Sequence, residues 1–423
     1  MLKKVGVLAG IAAVAAVVVA TTLGSTASAK VASRSALCKK AGLGYGGPLS
    51  GGASFLGDDQ SAWEKLFIKN WNSRKKIPGV SKKLHRVKLT LALAGDSTLN
   101  SQKAATVARQ MVATKNILGM VGFAGSNENL GGGPTLDGAH LPYVSGSATL
   151  DTLATGAKGQ KALTYFYRVV PPNAVQARTL PFMITHLGLK KNDKVMVVDD
   201  GEAYGIGLAN DGQKIFKSHK LNVTRKSVKE TDQSSAAEFA AAIQPVAAQA
   251  KALGVKLVYA PTQDAGDSQV FTNDLKTDGY TGAFMATDGS VDPTSFHTTG
   301  AYLSFFGPNV SDINHTYLTR FKAAYGAKSA SDPFGAPSFV AAEMLGIAIS
   351  KACAAHHGHL SSNITKARTA VKAKLAKTKL ASTILGFPVS FNNPADAYHG
   401  PATGATLFQI LANGKYKQLF AVK

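Results

Sequence analysis

The chain has 423 residues, of which 45% are hydrophobic and 17% are charged. This is the composition of a globular protein with two or three domains, and it excludes disorder as the general state of the chain. The formal net charge is +22, but the lysines and arginines are scattered and no aromatic platform is interleaved with them. We therefore predict a solvated, envelope-facing basic surface and no nucleic-acid partner.

The N-terminus has the three-part layout of a secretory signal peptide. Two lysines precede an apolar run from Val5 to Leu23, and small residues end at Ala29. We predict a signal peptide over residues 1–29, cleavage before Lys30, and an exported protein of the periplasm, cell envelope or medium. An uncleaved membrane anchor is the alternative, because the run is nearly long enough to span a bilayer. Cys38 lies too far from the run to be a lipidated cysteine.

The first half of the mature chain alternates strands and helices, as is typical of a doubly wound parallel sheet. The glycine-rich segment from Leu43 to Gly57 is predicted to be a loop, and it contains neither a dinucleotide fingerprint nor a P-loop. Leu130-Gly-Gly-Gly-Pro134 is expected to break the last helix of this half. The other predicted elements are a helix over 61–71, a strand over 87–94, a helix over 102–115, strands over 117–123 and 141–144, and an extended segment over 165–170.

The same pattern restarts after Pro171-Pro172, which we interpret as a linker. Its predicted elements are helices over 174–187, 208–219 and 234–253 and strands over 194–199, 222–228, 255–260 and 283–287. Helices over 310–325, 337–356 and 363–379 follow. Short strands over 387–391, 405–411 and 418–422 are expected to form a finishing β-meander, with turns at 392–394 and at Asn413-Gly414. The pattern predicts two similar α/β lobes.

Two predicted strands of the first half end in hydroxyl-rich turns. Ala124-Gly-Ser-Asn127 follows one strand, and Ser145-Gly-Ser-Ala-Thr149 follows the next. The carboxyl ends of parallel strands meet at one edge of a sheet, where ligands bind in open α/β folds. The hydroxyls of Ser126, Ser147 and Thr149 are therefore expected to face one crevice and a small polar ligand. The alternative is that they are ordinary turn and helix-capping residues.

These segments resemble the extracytoplasmic solute-binding proteins of ABC transporters for branched-chain amino acids, and their amide- and urea-binding relatives. The resemblance spans nearly the whole mature chain in family order. It is carried by Gly47-Pro-Leu-Ser-Gly51, Gly95-Asp96, Val121-Gly-Phe-Ala-Gly-Ser126, Leu141-Pro-Tyr-Val-Ser-Gly-Ser-Ala-Thr149, Tyr165-Phe-Tyr-Arg-Val-Val-Pro171, Val197-Val-Asp-Asp-Gly-Glu-Ala-Tyr-Gly205 and Gly386-Phe-Pro-Val-Ser-Phe391.

The resemblance implies a type I periplasmic binding protein fold of class α/β. Two doubly wound parallel-sheet lobes would be joined by three crossing segments, with a ligand cleft between them. Residues 30–172 and 309–388 would form lobe 1, and residues 173–308 and 389–423 would form lobe 2. The protein would be a monomer without a cofactor or metal. It would capture a small branched-chain-like amino acid or an amide and deliver it to an ABC permease in the membrane.

The resemblance also implies a role for each matched residue. Ser126 would hold the ligand carboxylate, and the turn Ser147-Ala148-Thr149 would hold both carboxylate and ammonium. Tyr204 would close over the ligand from lobe 2, and Asp288 would pair with the ammonium. These roles suit a zwitterion, which needs hydrogen-bond donors at one end and an anion at the other in a desolvated cleft. A turn residue beside Gly289 is the alternative interpretation of Asp288.

The sequence departs from the family pattern in four places, one of which is the expected helix break at Leu130–Pro134. Residues 37–44 occupy the position of the first strand but are poor strand material. The basic segment 73–86 replaces a compact turn. Residues 263–267 are polar where leucine-binding relatives have an aromatic side chain, so a more polar amino acid or an amide is also expected as a ligand.

By the family's chain path, Cys38 and Cys353 belong to the same lobe. The resemblance therefore implies a disulfide that joins the N-terminal segment to the helix predicted over 337–356, offsetting the weak first strand. Two separate thiols, buried as small hydrophobic side chains, are the alternative.

Three other functions are compatible with the sequence. An enzyme is disfavoured because no Gly-x-Ser-x-Gly, His-Glu-x-x-His or Cys-x-x-Cys motif occurs, although Glu128 and Asp137 lie near the predicted turns and are equally compatible with solvent-facing positions. A sensory module that signals ligand occupancy to a receptor would have the same lobes. The tract from His356 to His359 is compatible with metal capture or with a soluble helix end.

Overall fold

The computed structural model describes residues 35–51, 53–81, 84, 87–229, 236–307, 312–326, 333–391 and 399–422. The predicted signal peptide and the predicted turn at 392–394 lie outside the described residues.

The described residues form two sheets, a short two-stranded ladder and the helices that cover them. The strands are β1 (Lys40–Gly47), β2 (Lys88–Asp96), β3 (Ile117–Gly122), β4 (Tyr143–Ser145), β5 (Phe166–Arg168), β6 (Lys194–Asp199), β7 (Asn222–Ser227), β8 (Leu257–Ala260), β9 (Ala283–Ala286), β10 (Tyr302–Phe305), β11 (Lys379–Leu380), β12 (Val389–Ser390), β13 (Thr406–Ile410) and β14 (Tyr416–Ala421).

The helices are α1 (Ala36–Lys39), α2 (Ser54–Asn72), α3 (Ser101–Ala113), α4 (Ser126–Gly138), α5 (Thr152–Thr155), α6 (Asn173–Gln176), α7 (Leu180–His186), α8 (Ala203–Ser218), α9 (Ala236–Ala252), α10 (Ala265–Thr277), α11 (His315–Tyr325), α12 (Ala336–Ala355) and α13 (Ile364–Leu375).

A 3₁₀ segment separates α6 from α7, so the single helix predicted over 174–187 is wrong. Helix α10 and strand β10 were not predicted, because neither segment has a strong periodic pattern.

Lobe 1 is built around a five-stranded parallel sheet with the order β2-β1-β3-β4-β5. Lobe 2 is built around a seven-stranded sheet with the order β14-β13-β10-β9-β8-β6-β7. Strand β13 runs antiparallel to both β10 and β14, so this second sheet is parallel only from β10 to β7. The two-lobe α/β architecture expected from the sequence is thus present.

Strand β1 contradicts the expectation that residues 37–44 are poor strand material. It pairs with both β2 and β3 inside the first sheet, and residues 41–47 are buried. A Cβ atom on Gly42 would lie 2.8 Å from Ala92 Cβ, and one on Gly44 would lie 2.5 Å from Met111 Sδ. The glycines that weaken the strand propensity are therefore the residues that let β2 and α3 pack this closely. Since α2 begins at Ser54, the predicted loop over 43–57 is also wrong at both ends.

Helix α4 contradicts the predicted break at Leu130–Pro134, because it continues through this segment to Gly138. A Cβ atom on Gly131 would lie 2.0 Å from the Ser101 carbonyl oxygen, and one on Gly132 would lie 2.4 Å from the Phe123 ring. The glycines allow α4 to lie close against α3 and β3. Tertiary packing thus outweighs the low helix propensity of this sequence.

The C-terminal strands form only part of the expected meander. Strands β13 and β14 are adjacent antiparallel strands at the edge of the second sheet. Strand β12 instead pairs with β11 in a separate two-stranded ladder. The segment 387–391 therefore does not join the sheet of lobe 2.

The chain passes between the two lobes three times. It leaves the first sheet after β5, returns after β10 to form α11, α12 and α13 against lobe 1, and crosses again between β12 and β13. The domain boundaries at residues 172, 308 and 388 stay predictions.

Helix α12 is the central helix of lobe 1. Most of its residues are buried, among them Phe339, Leu345 and Ile349, and they pack on α2 and on strands β1 to β4. Within the described residues, α12 is the one helix whose length and composition would allow it to cross a membrane. However, 83% of its apolar stretch is buried inside the protein. The broad apolar surface predicted for it is therefore a core surface.

A disulfide joins Cys38 to Cys353, with the two Cα atoms 5.6 Å apart. It connects α1, just before β1, to the last turn of α12. The bridge that the resemblance implied is thus present. The weak first strand that it was expected to offset is, however, the well-paired strand β1.

Candidate ligand-binding cleft

A cavity of about 50 Å³ lies where the carboxyl ends of strands from both sheets meet. Its lining residues come from segments that follow β1, β2, β3 and β4 in lobe 1 and β6, β8 and β9 in lobe 2, and from the segment just before α12. They are Ala53, Phe55, Leu56, Leu99, Ala124, Gly125, Ser126, Ser147, Tyr204, Gln263, Asp288, Gly289 and Phe334. This is the crevice that open α/β sheets use for ligands.

Four of the six predicted site residues line this cavity: Ser126, Ser147, Tyr204 and Asp288. Ala148 and Thr149 do not line it, although both are buried. The buried Arg168 guanidinium donates hydrogen bonds to the carbonyl oxygens of Ala148 (3.1 Å) and Leu150 (2.9 Å). The chain after Ser147 is therefore held against the body of lobe 1.

Ser126 is placed by the first turn of α4. Its hydroxyl oxygen accepts a hydrogen bond from the Leu150 amide (3.3 Å), which leaves the hydroxyl proton for another partner. The N-terminal end of α4 lies at the cavity wall, because both Gly125 and Ser126 line it. Free amide groups in the first turn of a helix favour an anionic ligand group.

The Glu128 side chain holds the first turn of α4 in place through two hydrogen bonds. One of its carboxylate oxygens accepts the Gly125 amide, and the other accepts the Ser97 hydroxyl. Glu128 is fully buried, so its solvent-facing alternative is wrong. Burial raises the pKa of Glu128 to about 7, against the opposing effect of its two hydrogen bonds. Sequence reasoning missed this role, although a glutamate at the third position of a helix is a capping-box signal.

Ser147 uses its hydroxyl group within the protein. The hydroxyl donates to the Ala124 carbonyl oxygen (2.8 Å) and accepts from the Gln60 side-chain amide (2.8 Å). The Ser147 and Ala148 amides both donate to the Ser145 hydroxyl oxygen. Because a hydroxyl group has one proton, this side chain offers a ligand only its remaining acceptor capacity.

Asp288 is the one charged side chain among the described residues that line the cavity. Its Oδ1 atom accepts hydrogen bonds from the Tyr204 hydroxyl (2.5 Å) and the Gln176 side-chain amide (2.6 Å). Burial raises the pKa of Asp288 to about 6, although both hydrogen bonds oppose the shift. Burial and the charge of Asp288 raise the pKa of Tyr204 well above its ordinary value, so this hydroxyl is a donor at neutral pH.

One wall of the cavity is apolar and was not predicted. Phe55 and Leu56 begin α2, and Leu99 follows β2. The rings of Phe55 and Phe334 meet edge to face at 6.4 Å, and Phe334 packs in turn on Phe305 of lobe 2 at 5.8 Å. The pair Phe55-Leu56 inside a glycine-rich segment was the available sequence signal, because such a segment otherwise has little reason to carry large apolar residues.

Gln263 lines the lobe 2 side of the cavity and is half-buried. Its backbone N–H group donates a hydrogen bond to the Asp200 carboxylate (2.8 Å), which fixes the loop after β8. The polar position expected at 263–267 therefore contributes a polar side chain to the cavity wall.

The other chemical groups considered from the sequence lie away from the cavity. Asp137 accepts hydrogen bonds from the Thr164 and Tyr165 amides just before β5. In the part of the chain that the structure describes, no group of three or more His, Cys, Asp or Glu side chains is arranged to hold a metal ion.

The family model for periplasmic binding proteins matches residues 41–415. No curated protein matches the sequence. Among solved structures, the fold is similar to the leucine-binding protein LivK from Thermotoga maritima, with a TM-score of 0.70, 17% identity, and coverage of 90% of this chain and 99% of that one.

Two further structures are similar over 96% or more of their length. The branched-chain amino acid transporter substrate-binding protein LivJ from Streptococcus pneumoniae, solved with isoleucine, gives a TM-score of 0.69 at 18% identity and covers 91% of this chain and 100% of that one. An ABC transporter solute-binding protein from R. palustris, solved with benzoate, gives a TM-score of 0.69 at 18% identity, with 91% and 96% covered. The family model matches the chain from the second residue of β1 to the residue before β14. Because this is most of the chain, the protein belongs to the periplasmic binding protein family.

Proposed function

We propose that the protein is the substrate-binding component of an ABC importer, which captures a small ligand between its lobes and delivers it to a membrane permease. The observation that carries this proposal is the cavity at the facing carboxyl edges of the two sheets, with one buried carboxylate, Asp288, on its lobe 2 side. Family membership implies an extracytoplasmic location. Export by a signal peptide cleaved near Ala29 and action as a monomer are part of the proposal.

The ligand that fits best carries an ammonium or amide group beside an apolar body. Asp288, already oriented by Tyr204 and Gln176, would receive the ammonium or amide. The Ser126 hydroxyl and the first turn of α4 would receive a carboxylate, and the wall of Phe55, Leu56 and Phe334 would contact the apolar body. The small branched-chain-like amino acids have all three parts.

Ligand screening by thermal shift tests this function. A ligand that binds only the folded protein raises its melting temperature, so at least one of the common amino acids or small amides should do so. No shift with any of them would contradict the proposal. Catalysis is checked on the same samples by mass spectrometry, and the ligand should be recovered unchanged.

Two substitutions then test the site with the ligand that the screen finds. Asp288→Ala should weaken binding by several kcal/mol, because it leaves the ligand cation unpaired in a buried site. Ser126→Ala should weaken binding by about 1–2 kcal/mol, the contribution of one charge-assisted hydrogen bond. Asp292→Asn is a matched control. Asp292 does not line the cavity, and its carboxylate accepts hydrogen bonds from the Thr294 amide and the Ser295 hydroxyl. Wild-type affinity in both site variants would contradict the site assignment.

A sensory module would bind the same ligand in the same way. The two roles differ in the partner, so reconstitution with the permease decides between them: ligand-dependent stimulation of the permease ATPase supports the importer, and its absence supports the sensor.

A further inference from the structure

The amino edge of the lobe 1 sheet carries exposed lysines from several elements. Lys40 begins β1, Lys88 begins β2, and these two residues are paired neighbours across the sheet. Lys39 ends α1, and Lys115 lies just before β3. Parallel strands begin at a common edge, so these side chains lie together at the end of lobe 1 opposite the cleft.

Helix α13 extends this basic surface. Its buried Arg368 donates to the carbonyl oxygens of Val112 (3.2 Å) and Ile117 (3.0 Å), which places the helix against the start of β3. One turn later, Lys372 Nζ lies 5.2 Å from the centre of the Tyr165 ring, just before β5. Lys366 lies on the exposed face of the helix. We call Lys39, Lys40, Lys88, Lys115, Lys366 and Lys372 the basic pole.

Carboxylates are scarce around the basic pole. The sequence contains no Asp or Glu from residue 344 to residue 395. Asp137, which lies near Lys372, is occupied by the Thr164 and Tyr165 amides. The corresponding edge of lobe 2 differs, because Lys256 is paired there with Asp193 at 2.8 Å. Among the described residues, no carboxylate forms a salt bridge with a lysine of the basic pole.

The chain also enters the described structure at this edge. The Ser35 amide donates to the Gly358 carbonyl oxygen at 2.9 Å, beside the disulfide at the end of α12. The first described residue, Ser35, therefore lies at the same edge as Lys39 and Lys40 of the basic pole.

We propose that the basic pole docks the protein on the anionic phospholipid surface of the cell membrane. Anionic headgroups attract basic segments by about 1 kcal/mol for each lysine near the surface. The cavity lies at the opposite edge of the lobe 1 sheet, so ligand has access to the cleft while the pole rests on lipid. The pole retains the exported protein at the membrane, and it does so independently of which ligand the cleft takes.

Vesicle co-sedimentation tests this docking with the chain from Lys30 onward, which contains both sheets and their cores. The vesicles contain either neutral phosphatidylcholine alone or a mixture with phosphatidylglycerol. The triple variant Lys88→Gln, Lys115→Gln, Lys366→Gln removes three lysines from three elements of the pole. Its matched control, Lys190→Gln, Lys191→Gln, Lys217→Gln, makes the same charge change on exposed lysines of lobe 2.

The wild-type protein and the control should bind the anionic vesicles, and neither should bind the neutral ones. The pole variant should bind the anionic vesicles roughly 100-fold more weakly, and salt near 0.5 M should abolish binding by all three proteins. Equal binding by the pole variant and the control would overturn the proposal, because the attraction would then come from net charge alone. Binding to soluble polyphosphate without binding to vesicles would also overturn it, because the partner would then be an anionic polymer.

Discussion

Asp288 is subject to two opposing effects on its charge. Burial favours the protonated form, whereas the Tyr204 and Gln176 donors favour the carboxylate, and the net result is a pKa of about 6. At neutral pH the group is therefore an anion whose hydrogen bonds orient it before the ligand arrives. On the proposed function, a ligand ammonium would supply the positive charge that this buried carboxylate lacks among the residues lining the cavity.

This charge predicts a pH dependence of ligand affinity. Above pH 6 Asp288 is ionised and the affinity should be constant, whereas below pH 6 a proton competes with the ammonium and the affinity should fall by about tenfold per pH unit. Isothermal titration calorimetry between pH 5 and pH 8 measures this directly. Asp288→Asn keeps the shape of the side chain and should show weak binding with a flat profile over this range. An unchanged pH profile in that variant would assign the dependence to another group.

At the scale of secondary structure elements, Glu128 connects two loops that line the cavity. Its carboxylate holds the Gly125 amide before α4 and the Ser97 hydroxyl after β2, so Ser126 and Leu99 are positioned by one buried side chain. The cleft wall therefore depends on a residue that does not line it.

Glu128→Ala should lower the free energy of unfolding by roughly 2–3 kcal/mol, because two buried hydrogen-bonding groups lose their acceptor. It should also weaken ligand binding, since the first turn of α4 is then free to move. Glu128→Gln keeps one amide oxygen and should have a smaller effect on both. Urea unfolding and calorimetry measure the two effects. If Glu128→Ala left ligand affinity unchanged, Glu128 would stabilise the fold without positioning the site.

The elements also show how far the sequence predicted this protein. Ser126, Ser147, Tyr204 and Asp288 were predicted because each follows a strand end in a familiar pattern. Strand β1 and the middle of α4 were missed, because local propensity counts glycine as a disadvantage, whereas here glycine permits close approach of Met111 and Ser101. Phe334 was missed because its place beside Phe55 depends on contacts between distant segments, which sequence periodicity does not report.

At the scale of the whole molecule, the lobes meet at a pair of carboxyl groups. Gly207 of α8 lies over Leu150, where an added Cβ atom would approach Leu150 Cδ1 to 2.5 Å. One turn along α8, Asp211 shares a hydrogen bond with Asp151 of lobe 1 and also pairs with Lys214 at 3.1 Å. Burial, followed by the charge of Asp211, raises the pKa of Asp151 to about 7, and Arg168 opposes this shift.

The raised pKa makes this lobe contact weaker at high pH. A carboxyl whose pKa is higher in the folded protein stabilises the fold fully below its unfolded pKa of about 4, and that contribution is lost as the pH rises through 7. Asp151→Asn should therefore raise the free energy of unfolding relative to wild type by roughly 1–3 kcal/mol at pH 8, with little gain at pH 5. Chemical unfolding at the two pH values measures the difference. A gain of equal size at both would exclude titration of this pair as its cause.

The three passes of the chain between the lobes would also set the order of events if the protein is exported with its N-terminus first. Residues 40–168 supply all five strands of the first sheet, but the helix that fills its core, α12, comes from residues 336–355. A chain that crosses the membrane with its N-terminus first therefore exposes the inner face of this sheet until most of the protein has followed. The partner of Cys38 arrives only with Cys353, 315 residues later. On that route, the half of the protein that emerges first would be the half that is completed late.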